Sequence, residues 1–176
     1  RKNRKYKVIY NTAKEIFFID NNKEAQSENK FKIIASSWST NKFKGLDYII
    51  RLDRDLDFSK YEFTYIGNID YKFENIKHIR AISNNKVPRE LGKHHLYYSA
   101  SQFECCSNAI CEALAAGLPV VAHKSGGNLE IIKEGGILFE NYKDSILAIE
   151  TINKRYSSFK RRISIALPKD VAEEYY

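Results

Sequence analysis

No apolar run in this chain approaches the length of a membrane-spanning helix, which excludes a helical membrane protein over these residues. No signal-peptide pattern opens it. It begins at Arg1 without a methionine, so a further upstream part is expected. Cysteines are scarce: Cys105, Cys106 and Cys111 are clustered and odd in number. That argues against a disulfide framework and for reduced thiols in a cytoplasmic setting. A Cys-Cys-x4-Cys run with distant His78, His94, His95 and His123 lacks the paired spacings of a zinc site. No metal is therefore expected, and the simpler reading is small side chains packing at a crowded loop, with the histidines at the surface or in packing roles. Internal repeats and low-complexity linkers are absent. So is the basic and aromatic interleaving of a nucleic-acid module, and nucleic acid is set aside as a partner. No Gly-x-Gly-x-x-Gly follows the first expected strand, which excludes the dinucleotide-binding dehydrogenases.

What is present is enough for one domain with a sizeable core: 176 residues, 43 % of them apolar, with many Tyr and Phe. The formal charge of +7 favours anionic partners such as nucleotide diphosphates and lipid headgroups, without bearing on fold. Much of it sits in Arg1–Lys5, in Lys154-Arg155 and in Lys160-Arg161-Arg162. These clusters read first as solvated faces and second as peripheral contacts with the inner face of a membrane.

Strand and helix patterns alternate. Strands are expected at 32–36, 62–66, 76–79, 95–100, 120–123 and 137–139. Helices are expected at 45–52, near Pro88, after Ser107, at 129–133, at 143–153 and from Pro168 onward. In the first helix Leu46, Ile49 and Ile50 would face inward; near Pro88, Asn85 is the expected cap and Pro88 suits the first turn. Strands separated by single helices imply an α/β fold: a doubly wound, Rossmann-like parallel sheet of about six strands with helices on both faces. In such a sheet, ligands bind beyond the carboxyl ends of the strands.

The most informative stretch is Phe103-Glu104-Cys105-Cys106-Ser107-Asn108-Ala109-Ile110-Cys111-Glu112-Ala113-Leu114-Ala115-Ala116-Gly117-Leu118-Pro119-Val120-Val121-Ala122. Ser107 or Asn108 can cap a helix here, because either side-chain oxygen can accept from a first-turn amide. Ala109, Ile110, Ala113 and Leu114 give that helix one apolar face. Gly117 suits a left-handed stop, Pro119 forbids continuation, and Val120-Val121 reads as a buried strand. Glu104 then lies in the loop before the helix, and Glu112 in or near its first turn. That end of a helix attracts anions. A carboxylate there would repel phosphate unless it binds the sugar hydroxyls attached to it.

Glu104 and Glu112, separated by seven residues and followed by Ala-Leu-Ala-Ala-Gly-Leu-Pro-Val-Val-Ala and then Ser125-Gly126-Gly127-Asn128-Leu129-Glu130, closely resemble the donor-binding domain of retaining family-four glycosyltransferases with the GT-B fold. The resemblance runs from about Lys32 to about Tyr142. It implies the second half of a two-domain enzyme: residues 1–30 as the tail of a first domain and a linker, 31–168 as the donor-binding domain, and 169–176 as the start of a closing crossover helix. Val8-Ile9-Tyr10-Asn11 is similar to the short strand and Asn leading out of the family's first domain, and Ser27–Lys30 would be a polar linker.

The resemblance also implies roles. Glu104 would be the catalytic-site glutamate that touches the donor sugar, and Glu112 the one that binds ribose hydroxyls, although an ordinary helix-terminal glutamate accounts for Glu112 nearly as well. Lys44, before Gly45, matches the family's diphosphate-binding lysine; a surface lysine is the plainer reading. Ser39 stands where the family often has an arginine, and Lys42 offers a substitute cation. Ser83, in Ala81-Ile82-Ser83, falls where the family holds the nucleotide base through backbone contacts. Ser107 and Asn108 complete the donor-binding set. Cys105, Cys106 and Ser107 replace common glycines, so donor identity is not carried over. Ser125–Asn128 borders the donor or merely joins strand to helix. The implied activity is transfer of a sugar, hexosyltransferase type, from a nucleotide diphosphate donor to a glycan or lipid-linked acceptor, with no metal cofactor. The missing N-terminal domain would be a necessary partner, and this chain alone would be inactive. The alternative is a non-catalytic nucleotide-sugar-binding or regulatory module.

Overall fold

The computed structural model describes residues 8–21, 29–39 and 41–175, apart from the side chain of Lys42. The expected cluster Arg1–Lys5 and the first half of the expected linker at 27–30 lie outside the described residues.

Six strands form one parallel sheet: β1 (Phe31–Ser37), β2 (Tyr61–Gly67), β3 (Lys77–Ile79), β4 (Leu96–Ser99), β5 (Val120–His123) and β6 (Gly136–Phe139). Their order is β3-β2-β1-β4-β5-β6, so the winding reverses between β1 and β4. The helices are α1 (Leu46–Asp55), α2 (Val87–Leu91), α3 (Asn108–Ala115), α4 (Asn128–Ile132), α5 (Tyr142–Lys154), α6 (Tyr156–Arg161) and α7 (Pro168–Glu173).

Near-continuous apolar strands reflect burial on both faces, as parallel sheets require. Successive side chains alternate between two cores. Ile33, Phe63, Tyr98 and Val121 pack with Ile49 and Leu52 of α1, Ile149 and Ile152 of α5, and Phe159 of α6. Ile34, Ile66, Tyr97 and Val120 pack with Val87 of α2, Ile110 and Leu114 of α3, and Ile132 of α4. The sheet is doubly wound, as expected.

Several local expectations are corrected. Val8–Asn11 is not a strand; residues 8–14 are irregular, and Ala13 and Phe17 anchor the segment in the second core. Asn85 does not cap the helix near Pro88. It lies inside a 3-10 turn (Asn84–Lys86) preceded by Ser83, and its Oδ1 accepts from Ser83 Oγ at 2.7 Å. Leu46 and Ile50 are only partly buried beside the fully inward Ile49. The last helix starts at Pro168 but ends at Glu173. Helix α6 was not foreseen; Tyr156 and Phe159, three apart, fix it to the first core.

One buried carboxylate holds a connection. Asp53, fully buried at the end of α1, accepts from the backbone N–H groups of Glu74, Asn75 and Ile76 at 2.7–2.8 Å. It ties the loop entering β3 to the helix beneath it.

Candidate active site at the β1–β4 crevice

Where strand order reverses, the loops leaving neighbouring strands diverge and open a crevice. Here it is a cavity of about 460 Å³ between the end of β1 (Ser36–Ser39) and the end of β4 (Tyr97–Ser101), walled by Glu104 and the start of α3. Of the expected site residues, Ser39, Lys44, Glu104, Ser107, Asn108 and Glu112 all line it. Gly45 and Ser83 do not.

Gly45 is structural. Its φ of +70° lies in the left-handed region, and an added Cβ would sit 2.3 Å from the Ala100 carbonyl oxygen. Only glycine lets the turn into α1 press against the end of β4, which is how Lys44 reaches the cavity. Ser83 is exposed and spends its hydroxyl on Asn85; its neighbour Asn84 reaches the cavity instead.

The β1 loop holds itself by a chain of short-range bonds. Ser37 Oγ donates to Ser39 O at 2.9 Å, Asn41 N–H donates to Ser39 Oγ at 3.2 Å, and Phe43 N–H donates to Asn41 Oδ1 at 3.0 Å. These are the turn-forming habits of Ser and Asn. Ser39 thus builds the loop where the family pattern often has a cation.

Lys44 Nζ donates to Glu104 Oε1, and Ser101 Oγ donates to the same oxygen at 2.6 Å. Burial pushes the Glu104 carboxyl up, but the bonds from Lys44 and Ser101 outweigh it and hold the group below its ordinary range. Glu104 is therefore an ionised, oriented carboxylate. Its loop is fixed from behind: Gly127 N–H donates to Glu104 O at 2.9 Å, and Phe103 N–H to Ser125 Oγ at 2.6 Å. A Cβ on Gly126 would lie 1.9 Å from Glu104 O, and one on Gly127 2.2 Å from Cys105 O. The Gly-Gly turn thus clamps the Glu104 loop and is not among the cavity-lining residues. Phe103 carries a positive φ of 58° and is 74 % exposed, so the clamp holds it in a conformation a bulky residue rarely adopts.

Helix α3 is capped by Ser107, whose Oγ accepts from Ile110 N–H at 3.4 Å. Asn108 instead accepts at Oδ1 from Asn11 Nδ2 at 2.9 Å. The helix ends in a Schellman motif: Gly117 (φ +74°) N–H bonds Leu114 O at 2.9 Å and Leu118 N–H bonds Ala113 O at 3.0 Å. With Asn108 as its first residue, Glu112 falls in the second turn, not the first. The helix-terminal explanation of Glu112 accordingly weakens, because dipole stabilisation fades within one turn. Among the described residues nothing hydrogen-bonds the Glu112 carboxylate. Burial pushes it up to about 7, against a weak opposing pull from Lys14. Two carboxylates thus share one cavity with opposite perturbations, a mark of functional sites.

The site contains residues that the motif did not reveal. Trp38 stands half exposed at the mouth, and Tyr97 and Ser36 form the floor, their hydroxyls 3.0 Å apart. Ser101, three residues before Glu104, could have been suspected from that spacing; Trp38 and Tyr97 carry no local signal. No histidine lines the cavity. His94 bonds Glu90 O and Thr64 Oγ1, His95 Nδ1 accepts from Lys32 N–H at 2.9 Å, and His78 bonds Gly67 O at 2.9 Å, while His123 packs against Tyr48 and Phe139. Among the described residues no three His, Cys, Asp or Glu side chains gather as metal ligands.

A six-stranded doubly wound sheet with paired acidic groups and a lysine at its switch point defines a Rossmann-like ligand-binding domain. The family model for glycosyl transferases group 1 matches residues 18–164, and the chain belongs to that family. Its fold is that of the GT-B glycosyltransferases. An uncharacterized 41.2 kDa protein in the cps region of Klebsiella pneumoniae is 25 % identical over 170 residues, 88 % of this chain and 47 % of that protein. Anabaena Alr3699/HepE, solved in complex with UDP-glucose, superposes with a TM-score of 0.69 at 18 % identity, covering 96 % of this chain and 57 % of that one. The pneumococcal O-GlcNAc transferase GtfA, solved with UDP and GlcNAc, gives 0.62 at 16 % identity, covering 90 % and 36 %. The chain thus spans about half the length of the Klebsiella relative, and less of GtfA. No helix among the described residues is long and apolar enough to cross a membrane.

Proposed function

We propose that this domain binds a nucleotide-sugar donor and forms the donor half of a retaining glycosyltransferase acting on a glycan or lipid-linked acceptor at the cytoplasmic side of a membrane. The observation that carries the reading is the single cavity gathering Lys44, Glu104, Ser107, Asn108 and Glu112 at the β1–β4 switch point. Glu112 accepts from the ribose hydroxyls; of the two cavity glutamates it is the one without a hydrogen-bond donor among the described residues. Lys44 shifts from Glu104 toward the diphosphate and stabilises negative charge as the nucleotide departs, so that no metal is needed for that task. Glu104, oriented by Ser101, accepts from donor sugar hydroxyls near the reacting carbon. The base is read on the side of Asn84, which lines the cavity and follows the 81–83 segment. The acceptor site and part of the catalytic apparatus belong to a first domain, as the 47 % coverage of the Klebsiella relative supports.

Titration calorimetry with uridine, guanosine and adenosine diphosphates tests the reading. Binding of at least one is expected, with no sugar transfer by this polypeptide alone. Binding of none refutes the donor site; turnover by this chain refutes the division of labour. A second reading, a non-catalytic nucleotide-sugar-binding module, is favoured by Ser39, whose hydroxyl is used in the loop where the family often has an arginine. It predicts nucleotide binding but no transfer even when a preceding α/β domain is supplied.

A further inference from the structure

The stretch between the two glutamates carries the chain's only three cysteines, and two of them pack in one core. Ser107 caps α3, so Cys106 is the residue before the cap and Cys111 the fourth residue of the helix. Side chains at those two positions pack together across the first turn. Cys111 is fully buried in the second core, and Cys106 is half buried against that same core. The two thiols thus share one packed cluster and perturb one another, while Cys111 Sγ donates to Asn11 O at 3.9 Å. Cys106 also lines the cavity, which gives a small reagent a route to its sulfur but not to that of Cys111.

We propose that Cys106 and Cys111 are a thiol pair in the wall of the cavity that closes to an internal disulfide by exchange with a low-molecular-weight disulfide, and that a bound nucleotide shields it. The second clause rests on the donor-site reading; the first does not.

The chemistry balances in two steps. The Cys106 thiolate attacks one sulfur of the reagent, whose S–S bond breaks and releases one thiol. The Cys111 thiol then gives its proton to solvent and attacks the Cys106 sulfur, expelling the second thiol. Two protein thiols are oxidised and one reagent disulfide is reduced. Burial pushes the Cys111 thiol up to about 12, with Cys106 and Glu112 adding to the shift, so the second step is the slow one. Cys105 is the competitor because it is exposed. Bridging Cys105 to Cys106 is disfavoured. Adjacent Cα atoms stand about 3.8 Å apart across a trans peptide, below the range of about 4.4–6.8 Å usual for disulfides.

The test incubates the reduced chain with millimolar glutathione disulfide, then maps peptides by mass spectrometry. The expected product is a Cys106–Cys111 crosslinked peptide, with Cys105 either free or carrying glutathione. Cys105→Ser should retain the crosslink, whereas Cys106→Ser and Cys111→Ser should each abolish it. Glutathione accumulating on Cys106 without a crosslink overturns the pair, as does a crosslink through Cys105 or between chains. Saturating uridine or guanosine diphosphate, whichever binds by calorimetry, should slow closure at least about fivefold. Unchanged closure with nucleotide demonstrably bound overturns the shielding alone. If none of the diphosphates binds, the donor-site reading fails while the crosslink result still decides the pair.

Discussion

Replacing Glu112 by glutamine should stabilise the empty domain and weaken its hold on nucleotide at the same time. The carboxyl is half buried, has no hydrogen-bond donor among the described residues, and is raised by burial from 4.5 to about 7. A folded-state value above the unfolded one means the native state resists losing that proton. The stability contribution is therefore complete below about pH 4.5 and is lost as pH rises to about 7. Above pH 7 the wild type carries an unpaired, partly desolvated charge. The full difference corresponds to roughly 3 kcal/mol, of which partial solvent access leaves about 1–2 kcal/mol. Glutamine keeps the shape and removes the charge. At pH 8 Glu112→Gln should melt about 2–8 °C above wild type for a domain of this size, and at pH 4.5 the two should coincide.

The binding arm runs the other way. Ribose hydroxyls donate best to an ionised carboxylate, so nucleotide should draw the proton off Glu112 and bind more tightly as pH rises from about 5.5 toward 7.5. The affinity ratio of a nucleoside diphosphate to its 2′-deoxyribose analogue isolates this effect, because the titration of the phosphate cancels. That ratio should grow with pH in wild type and stay flat in Glu112→Gln, whose affinity for the ribose form falls by about 1–3 kcal/mol, or roughly 5- to 150-fold. Scanning calorimetry at both pH values and titration calorimetry with both ligands make the check. Equal losses for ribose and deoxyribose ligands would remove Glu112 from the ribose. A mutant less stable than wild type at pH 8 would show that the carboxylate has a partner the structure does not place.

Lys44→Ala should weaken nucleoside diphosphate far more than bare nucleoside and flatten the salt dependence of binding, since one cationic contact in an open crevice has gone; unchanged affinity and salt slope by calorimetry would make Lys44 a surface residue. Gly126→Ala should abolish nucleotide binding and cost at least about 2 kcal/mol in urea denaturation, because its Cβ meets Glu104 O at 1.9 Å at a φ of +55°; near-wild-type behaviour would mean the clamp on Glu104 is slack. Asp53→Ala removes the shared acceptor of the Glu74, Asn75 and Ile76 backbone N–H groups, of which that of Ile76 is buried, and should cost about 2–4 kcal/mol, while nucleotide affinity measured well below the melting temperature stays unchanged.

The strands were legible to within a residue or two because buried parallel strands are apolar runs with little competing structure. The end of α3 was legible because Gly117, Leu118 and Pro119 are a local signal for a local motif. Its beginning was not. Ser107 and Asn108 are equally good caps, and what decides between them is Asn11, ninety-seven residues away, which takes the Asn108 oxygen. That single-residue choice sets where Glu112 falls on the helix. Val8–Asn11 carries an apolar, strand-like pattern, yet it runs as an irregular segment over the second core. The roles of Gly45 and Gly126–Gly127 depend on backbone approaches to Ala100 and Glu104 that no spacing reports. Ser39, Lys44, Glu104 and Glu112 were legible as a set through their motif. Trp38, Tyr97 and Ser101 join them only once β1 and β4 lie side by side.

The two glutamates, alike in the motif, are physically opposite in the empty domain. Glu104 has a cation, a hydroxyl and a glycine clamp, so its orientation is settled before any ligand arrives. Such preorganisation is what a group near a reacting carbon requires, because reorganisation during the reaction would add to the barrier. Glu112 is left with burial and, among the described residues, no hydrogen-bond donor, a destabilised state that a pair of ribose hydroxyls would relieve. On the proposed roles, free energy withheld from the empty fold at Glu112 would become available on nucleotide binding, while free energy invested around Glu104 would keep the sugar end aligned. Such a division would make nucleotide recognition dependent on pH near neutrality and leave the geometry at Glu104 independent of it. It also accounts for why the pair must be read as two sites sharing one cavity: a substitution that improves the fold at one should damage function there, whereas at the other both should fall together.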